Sequence, residues 1–266
     1  MALTRSGGAS SGRIIAVTPH PNPPPQGGRE RVVPFIDERV VSRMIPLPPH
    51  RPGLRIGLFG GSFNPAHAGH RHATLLAMKR LGLDWAWWIV TPGNPLKDTS
   101  GLPPLDERIR TAQAVSRHPR IAVTGFEAAI RARYTVDTLA FLARRCPGVD
   151  FVWVMGADNL TGFHRWRGWR RIAGLMPIAV VDRPGHTLKA TRSRAATALA
   201  AHRLEERDAA RLPGREPPAW VFLHGPRSHL SSTALRAQNL GSVRGNSVES
   251  GRDRAHLKGA ADVSAA

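Results

Sequence analysis

Cysteine is nearly absent from this 266-residue chain, Cys146 being the only one. An intrachain disulfide and a multi-cysteine zinc site are therefore both excluded. Tyrosine is as rare, with Tyr134 alone. Lysine is scarce: of the 38 basic residues only Lys79, Lys97, Lys189 and Lys258 are lysine. No apolar run approaches the roughly 20 residues that a membrane span needs. Met1–Arg13 lacks the apolar centre of a secretory signal. These absences predict a cytoplasmic protein without membrane association. Acidic residues number 19, which leaves a net charge of +19. That charge suggests nucleic acid, but the arginines are scattered and no basic run is interleaved with aromatics. The excess instead gives a positive field that favours anionic substrates, and nucleic acid is not an expected partner.

What the chain does have is ordered in three parts. Residues 1–52 are rich in Pro, Gly and Arg, with the densest turn-former cluster at Pro19–Gly28. Such a stretch buries too little apolar surface to order itself and is expected to be a disordered leader. Met44, just before the first strand candidate, is an alternative start. Residues 239–266 carry Gly, Ser, Ala and charge without periodicity and are expected to form a disordered tail. Between them, at 53–238, lies one domain in which strand-like and helix-like runs alternate. Strands are expected at Leu54–Phe59, Trp85–Thr91, Ile121–Thr124, Phe151–Met155, Ile178–Val181 and Trp220–Leu223. Helices are expected at His70–Leu81, Asp106–Arg117, Thr135–Arg145, Trp166–Leu175 and Ser232–Gln238. Short apolar strands alternating with amphipathic helices predict a Rossmann-like α/β fold, a doubly wound parallel sheet with helices on both faces. Ligands of such sheets bind beyond the carboxyl ends of the strands.

Chemistry-bearing residues collect at that edge. Gly60-Gly61-Ser62-Phe63-Asn64-Pro65-Ala66-His67-Ala68-Gly69-His70 follows the first strand and opens a helix. A strand that breaks at paired glycines and restarts as a helix places backbone amides and a helix N-terminus at one point, where a phosphate is well held. His67 and His70 share that turn. Thr91–Lys97, Gly156-Ala157-Asp158-Asn159 and His224–Thr233 follow later strands at the same edge.

Gly60–His70 resembles the His-x-Gly-His element of the nucleotidyltransferase superfamily. Ser231-Ser232-Thr233-Ala234-Leu235-Arg236 resembles its second element, which opens a late helix. Within that superfamily the chain is most similar to bacterial nicotinate-nucleotide adenylyltransferases, through Arg133–Leu139 and through Met155–Leu160 followed by Trp166 and Trp169. The resemblance runs from about Leu54 to Arg236. One departure is Asn64, where many relatives carry Asp; it keeps a hydrogen-bonding side chain and loses a charge.

The resemblance implies attack of a 5′-phosphate on the α-phosphorus of ATP, with pyrophosphate leaving. The implied acceptor is nicotinate mononucleotide and the implied product deamido-NAD, a step of NAD biosynthesis. A phosphate monoester is already a nucleophile, so the protein is left with positioning and charge stabilisation. His67 and His70 are the expected catalytic residues, donating to phosphate oxygens as charge builds. Gly60, Gly61, Ser62, Phe63, Gly156, Asp158, Ser231, Ser232, Thr233 and Arg236 are the expected ATP-binding residues. Thr91, Asn94, Lys97, Tyr134, Thr135, Trp166 and Trp169 are the expected acceptor-binding residues. Thr135 also suits an N-cap, and Trp166 and Trp169 at helical spacing equally suit a core. Mg²⁺ is expected to be bound through the ATP phosphates, with no protein metal site. Two other functions share these residues. One keeps the fold and changes the acceptor, to nicotinamide mononucleotide, pantetheine phosphate or the substrate of a cytidylyl transfer. The other is a non-enzymatic nucleotide or nucleic-acid binder, suggested by charge alone.

Overall fold

A computed structural model describes residues 45–93 and 101–225. The last expected helix, Ser232–Gln238, and most of the expected leader and all of the expected tail lie outside those residues. Among the described residues one sheet holds β1 (Arg55–Gly61), β2 (Trp85–Val90), β3 (Ile121–Thr124), β4 (Asp150–Gly156), β5 (Ile178–Val181), β6 (Arg203–Leu204) and β7 (Trp220–Leu223). The strand order is β3-β2-β1-β4-β5-β7-β6, with every neighbouring pair parallel. The chain winds outward from β1 through β2 to β3, then crosses back to lay β4 on the other side of β1. Winding reverses between those two strands, and a crevice opens beyond their carboxyl ends.

Each strand serves two cores at once, because successive side chains point to opposite faces. In β2, Trp87 and Ile89 join one buried cluster while Ala86, Trp88 and Val90 join the other. In β4 the split is Phe151, Trp153 and Met155 against Val152 and Val154. This double burial is why the strands read as unbroken apolar runs. Helices α1 (Ala68–Leu81) and α2 (Leu105–Ser116) cover the second cluster with Ala77, Met78, Leu81 and Ala112. After the short helix α3 (Phe126–Ala129), α4 (Thr135–Arg145) covers the first cluster with Leu139 and Leu142. Next come α5 (Ala157–Gly162) and α6 (Trp169–Leu175), whose Ile172 packs in that same cluster, and then α7 (Thr187–Thr191) and α8 (Arg194–Ala198). Helices therefore lie on both faces, as a doubly wound sheet requires.

Three local departures have physical causes. The helix expected from Trp166 starts at Trp169, because Gly168 takes a left-handed φ of +65° after a 3₁₀ turn at Phe163–Arg165. The helix at 135 is capped by Tyr134 and not by Thr135, which is its first residue. Finally, ordered packing begins before Gly53. Ile45 and Leu47 pack on the first cluster, and the His50 ring meets Trp87 edge-on at 6.0 Å.

Candidate active site

β1 must end in glycine because its neighbour leaves no room. A Cβ on Gly60 would run into the Trp153 ring of β4. The chain then turns through Phe63, which holds a φ of +47°. Its buried ring stacks on Trp88 with centroids 5.0 Å apart and lies 4.9 Å from the His70 ring. Phe63 thus forms an apolar floor beneath the histidine.

His67 is the N-cap residue of α1, and His70 sits in the first turn. Their ring centroids are 3.8 Å apart. The backbone N–H of His67 donates to His70 Nδ1 at 3.2 Å. An imidazole that accepts at Nδ1 carries its proton at Nε2 when neutral, so this bond fixes which His70 nitrogen is the donor. His67 is only 5% exposed, and neither of its ring nitrogens has a partner among the described residues. Burial lowers the His67 pKa from 6.5 to about 4, and the Arg183 charge adds to the effect. Burial, then His67, then Arg183 lower that of His70 to about 3. Both rings are neutral at physiological pH, and each offers a phosphate oxygen one N–H donor without the second proton of an imidazolium.

Arg183 follows β5 at the same edge, two residues past Val181. Its Nε lies 3.5 Å from Oδ1 of Asp158, in the first turn of α5. A Cβ on Gly156 would collide with Asp158 and crowd Arg183 at 3.1 Å. The end of β4 is glycine so that this ion pair can lie across it.

The other half of the edge lies beyond β2 and β3. The Thr91 hydroxyl donates to the Gly93 carbonyl at 3.1 Å. Arg108, only 3% exposed, stitches the surrounding loops together. It donates to the carbonyls of Ser62 at 2.9 Å, Thr91 at 2.7 Å, Pro92 at 3.2 Å and Pro103 at 2.8 Å. Tyr134 caps α4, with the Arg167 guanidinium 4.6 Å from its ring centroid. Trp166 is half-buried, edge-on to Trp153 at 6.5 Å and to Phe163 at 5.5 Å. Trp169 is 8% exposed and belongs to the core, with Phe163 against it. Of the two tryptophans, Trp166 retains a ring surface to offer.

The structure thus places Gly60, Gly61, Ser62, Phe63, His67, His70, Thr91, Gly156 and Asp158 at the carboxyl ends of β1, β2 and β4, and Tyr134 and Thr135 at the start of α4. Asn94, Lys97, Ser231, Ser232, Thr233 and Arg236 lie outside the described residues. Sequence reasoning did not single out Arg183 or Arg108 at this edge. For Arg183 a signal existed: Arg183-Pro184-Gly185 is a turn directly after a strand at the binding edge. For Arg108, on an amphipathic helix, there was none. Among the described residues no group of three or more His, Cys, Asp or Glu side chains is gathered to hold a metal. The polar groups here are imidazoles, a guanidinium and backbone amides, which suit phosphate.

Comparison with known proteins agrees with this geometry. Residues 58–238 match the family described as cytidylyltransferase-like. A Methylorubrum extorquens protein named "Probable nicotinate-nucleotide adenylyltransferase" is 62% identical over 185 residues, covering 70% of this chain and 100% of its own length. A Brucella abortus protein of the same name is 57% identical over 187 residues, covering 70% of this chain and 96% of its own. In fold, the chain is similar to a Plasmodium falciparum nicotinic acid mononucleotide adenylyltransferase solved with NaAD, with a TM-score of 0.51 and 15% identity over 71% of this chain and 83% of that one. The chain belongs to the nicotinate-nucleotide adenylyltransferases of the cytidylyltransferase-like family.

Proposed function

We propose that the chain transfers AMP from ATP to nicotinate mononucleotide, forming deamido-NAD and pyrophosphate. The observation that carries the site assignment is the buried His67–His70 pair, neutral and with the His70 tautomer fixed, set beside Arg183 at the mouth between β1 and β4.

A phosphate oxygen of the acceptor attacks the α-phosphorus of ATP in line, a new P–O bond forms and the bond to the pyrophosphate oxygen breaks. No side chain has to take a proton, since the attacking group is already anionic. His70 donates through Nε2–H to an oxygen of the reacting phosphates, and His67 donates to a neighbouring one. Their neutrality matters, because neither loses strength as a donor between pH 6 and 8. Arg183 supplies the fixed positive charge that neutral imidazoles lack. Backbone amides after Gly60 and the N-terminus of α1 add oriented dipoles. A divalent cation bound through ATP would add further neutralisation of charge, with no protein ligand required of these residues. β7 ends at the same edge, and a Cβ on Gly225 beyond it would meet Leu76 of α1 at 2.5 Å. The chain therefore leaves the described region against α1, six residues before Ser231. Ser231, Ser232, Thr233 and Arg236, outside the described residues, are proposed to bind the β- and γ-phosphates.

The acceptor half is proposed to lie over Thr91, Tyr134, Thr135 and Trp166, and Asn94 and Lys97, outside the described residues, are proposed to bind it too. The first two amides of α4, at Thr135 and Val136, precede its earliest bond, from Asp137 N–H to the Tyr134 carbonyl at 2.9 Å, and a helix start faces an anion favourably, so they suit the nicotinate carboxylate. A neutral amide in its place would present donors to donors, at about 1–3 kcal/mol for each buried group left unpaired. Incubating the protein with ATP, Mg²⁺ and equal nicotinate and nicotinamide mononucleotides, then separating the products, tests both levels of this reading. At least about tenfold more deamido-NAD than NAD is expected. Equal yields would refute the acceptor preference, and no adenylylated product with any phosphate acceptor would refute the activity.

A further inference from the structure

Arg167 is an exposed arginine that the fold nevertheless holds in place. It lies in a tight turn between α5 and α6, closed by Trp169 N–H donating to the Trp166 carbonyl at 3.1 Å. Gly168 follows with a φ of +65°, the left-handed value that a type II turn requires at its third position. A Cβ on Gly168 would meet Val136 at 3.3 Å, so the turn rests against the first turn of α4. From there the Arg167 guanidinium lies over the Tyr134 ring, 4.6 Å from its centroid. The residue before it is Trp166, whose half-buried ring has been assigned to the acceptor pocket. One turn therefore carries both that ring and a cation held at the start of α4.

The cation is uncommitted. None of the ion pairs among the described residues includes Arg167, whereas Arg55, Arg110 and Arg183 each face a carboxylate. A guanidinium held by its face on an aromatic ring keeps its in-plane N–H groups free to donate as a fork. A cation is also needed here. The start of α4 contributes its dipole, equivalent to roughly +0.5 of an elementary charge. Against this, Asp137 places an exposed carboxylate in the same first turn. The dipole alone does not give an anion a net positive wall, and Arg167 tips that balance.

We propose that Arg167 is a specificity-determining residue, its guanidinium donating from above Tyr134 to the carboxylate of the nicotinate ring and so selecting the acid over the amide acceptor. This assignment deepens, and rests on, the reading that the acceptor lies over Tyr134, Thr135 and Trp166. The pyridinium nitrogen carries the same positive charge in both acceptors, so its repulsion by Arg167 cancels between them. The carboxylate differs from the carboxamide by a full charge and a second acceptor oxygen. An arginine on this wall therefore discriminates through that substituent alone.

Arg167→Gln keeps a hydrogen-bonding side chain and removes the charge. With ATP, Mg²⁺ and equal nicotinate and nicotinamide mononucleotides, it should lower the acid-to-amide product ratio by about five- to tenfold, between the worth of an exposed ion pair and that of a hydrogen bond to a charged group. The loss should fall on the KM for the acid and not on kcat, as removal of a contact made equally in ground and transition states implies. Isothermal titration calorimetry with each mononucleotide reads the same change without turnover. Arg167→Lys should recover part of the ratio, and Arg167→Glu should lower it beyond Arg167→Gln. Arg170→Gln is the control, because its guanidinium makes an equal contact with the core residue Trp169, 4.5 Å from the ring centroid. An unchanged ratio in Arg167→Gln, or an equal fall in Arg170→Gln, overturns the assignment. Trp166→Ala separates the premise. If folded Trp166→Ala leaves both acceptor KM values unchanged, the pocket reading fails and Arg167 with it. If it raises both while Arg167→Gln leaves the ratio unchanged, the pocket stands and Arg167 alone is dismissed.

Discussion

At the end of β1, the groups proposed to meet phosphate come largely from one unbroken stretch, Gly60–His70. Its glycines, its buried Phe63 and its two histidines lie within one stretch of eleven residues, and the His67 N–H to His70 Nδ1 bond is internal to the motif. At the ends of β2 and β3, the proposed acceptor walls are gathered from Thr91, Tyr134, Thr135 and Trp166, residues from separate elements. A local turn can be specified by spacing alone, whereas a pocket assembled across strands depends on packing that spacing does not encode. Arg108 joins the two halves, since the same guanidinium holds the Ser62 carbonyl on one side and those of Thr91 and Pro92 on the other.

Removing the local half should do the most damage. His70→Ala is expected to lower kcat by roughly 10²–10³, the usual cost of one donor aimed at developing charge, with ATP KM changed far less. Steady-state kinetics on folded variant protein check this, and near-normal kcat would remove His70 from the chemistry. Arg183→Gln should follow at about tenfold to a hundredfold in kcat/KM, since a hydrogen bond to a charged group is worth about 1.5–3 kcal/mol. It should also move the His67 and His70 pKa values upward, because the Arg183 charge lowers both. Imidazole proton NMR across an acid titration reads that shift.

Arg108→Lys tests whether the halves are mechanically linked. An ammonium keeps the charge but cannot span four carbonyls arranged around a planar fork. Buried acceptors left without a donor cost about 1–3 kcal/mol each, so a stability loss of about 2–4 kcal/mol is expected in denaturant unfolding. Acceptor KM and ATP KM should rise together. A rise in one alone would mean that the two loops are held independently.

The contrast between halves also explains what could be read in advance. The strand runs Ile121–Thr124, Ile178–Val181 and Trp220–Leu223 were legible to the residue, because burial on both faces forces continuous apolar sequence. The elements α3, α5, α7 and α8, and the two-residue β6, were not, because none is long enough to show a period. Trp169 suited a ligand-facing or a core role by spacing, and its ring packs in the core, the left-handed Gly168 separating it from Trp166. Arg183 was invisible at the site for a simpler reason. It is held through a partner from another element, Asp158.

A subtler effect separates the halves by pH. His67 and His70 bind protons more weakly when folded than when unfolded, where the reference pKa is 6.5. Below that value the unfolded chain takes up protons that the folded chain refuses, so stability falls as pH falls. The contribution is complete above about pH 6.5 and is lost progressively toward pH 4 and then pH 3. Glu127 acts in the opposite sense, because burial raises its carboxyl pKa on folding, a contribution that is present at low pH and is lost as pH rises. Thermal unfolding midpoints between pH 4 and 7 should therefore drop less in a His67→Asn/His70→Asn protein than in the wild type. An unchanged slope would show that the two rings are not the groups responsible.

The smallest effect is expected at the amino end, where the two halves share a support. Starting the chain at Met44 retains Ile45 and Leu47, which pack on the cluster that includes Trp87, Trp153 and Trp169. It also retains His50 against Trp87, and the Gly53 N–H bond to the Gly148 carbonyl at 2.7 Å. Stability and kcat/KM should then match the full chain within error. Starting at Gly53 removes the two aliphatic side chains and the imidazole from that cluster. Both aliphatics are only partly buried, so a loss of about 1–3 kcal/mol is expected, below the roughly 3–6 kcal/mol for full burial of two such side chains. The loss should appear as a lower denaturant midpoint with little change in kcat, because Trp87 and Trp153 lie beneath the sheet edge and touch neither proposed substrate. Reduced activity in the Met44 form would show that the first 43 residues reach the site, and a stable Gly53 form would show that the packing of Ile45 and Leu47 is dispensable.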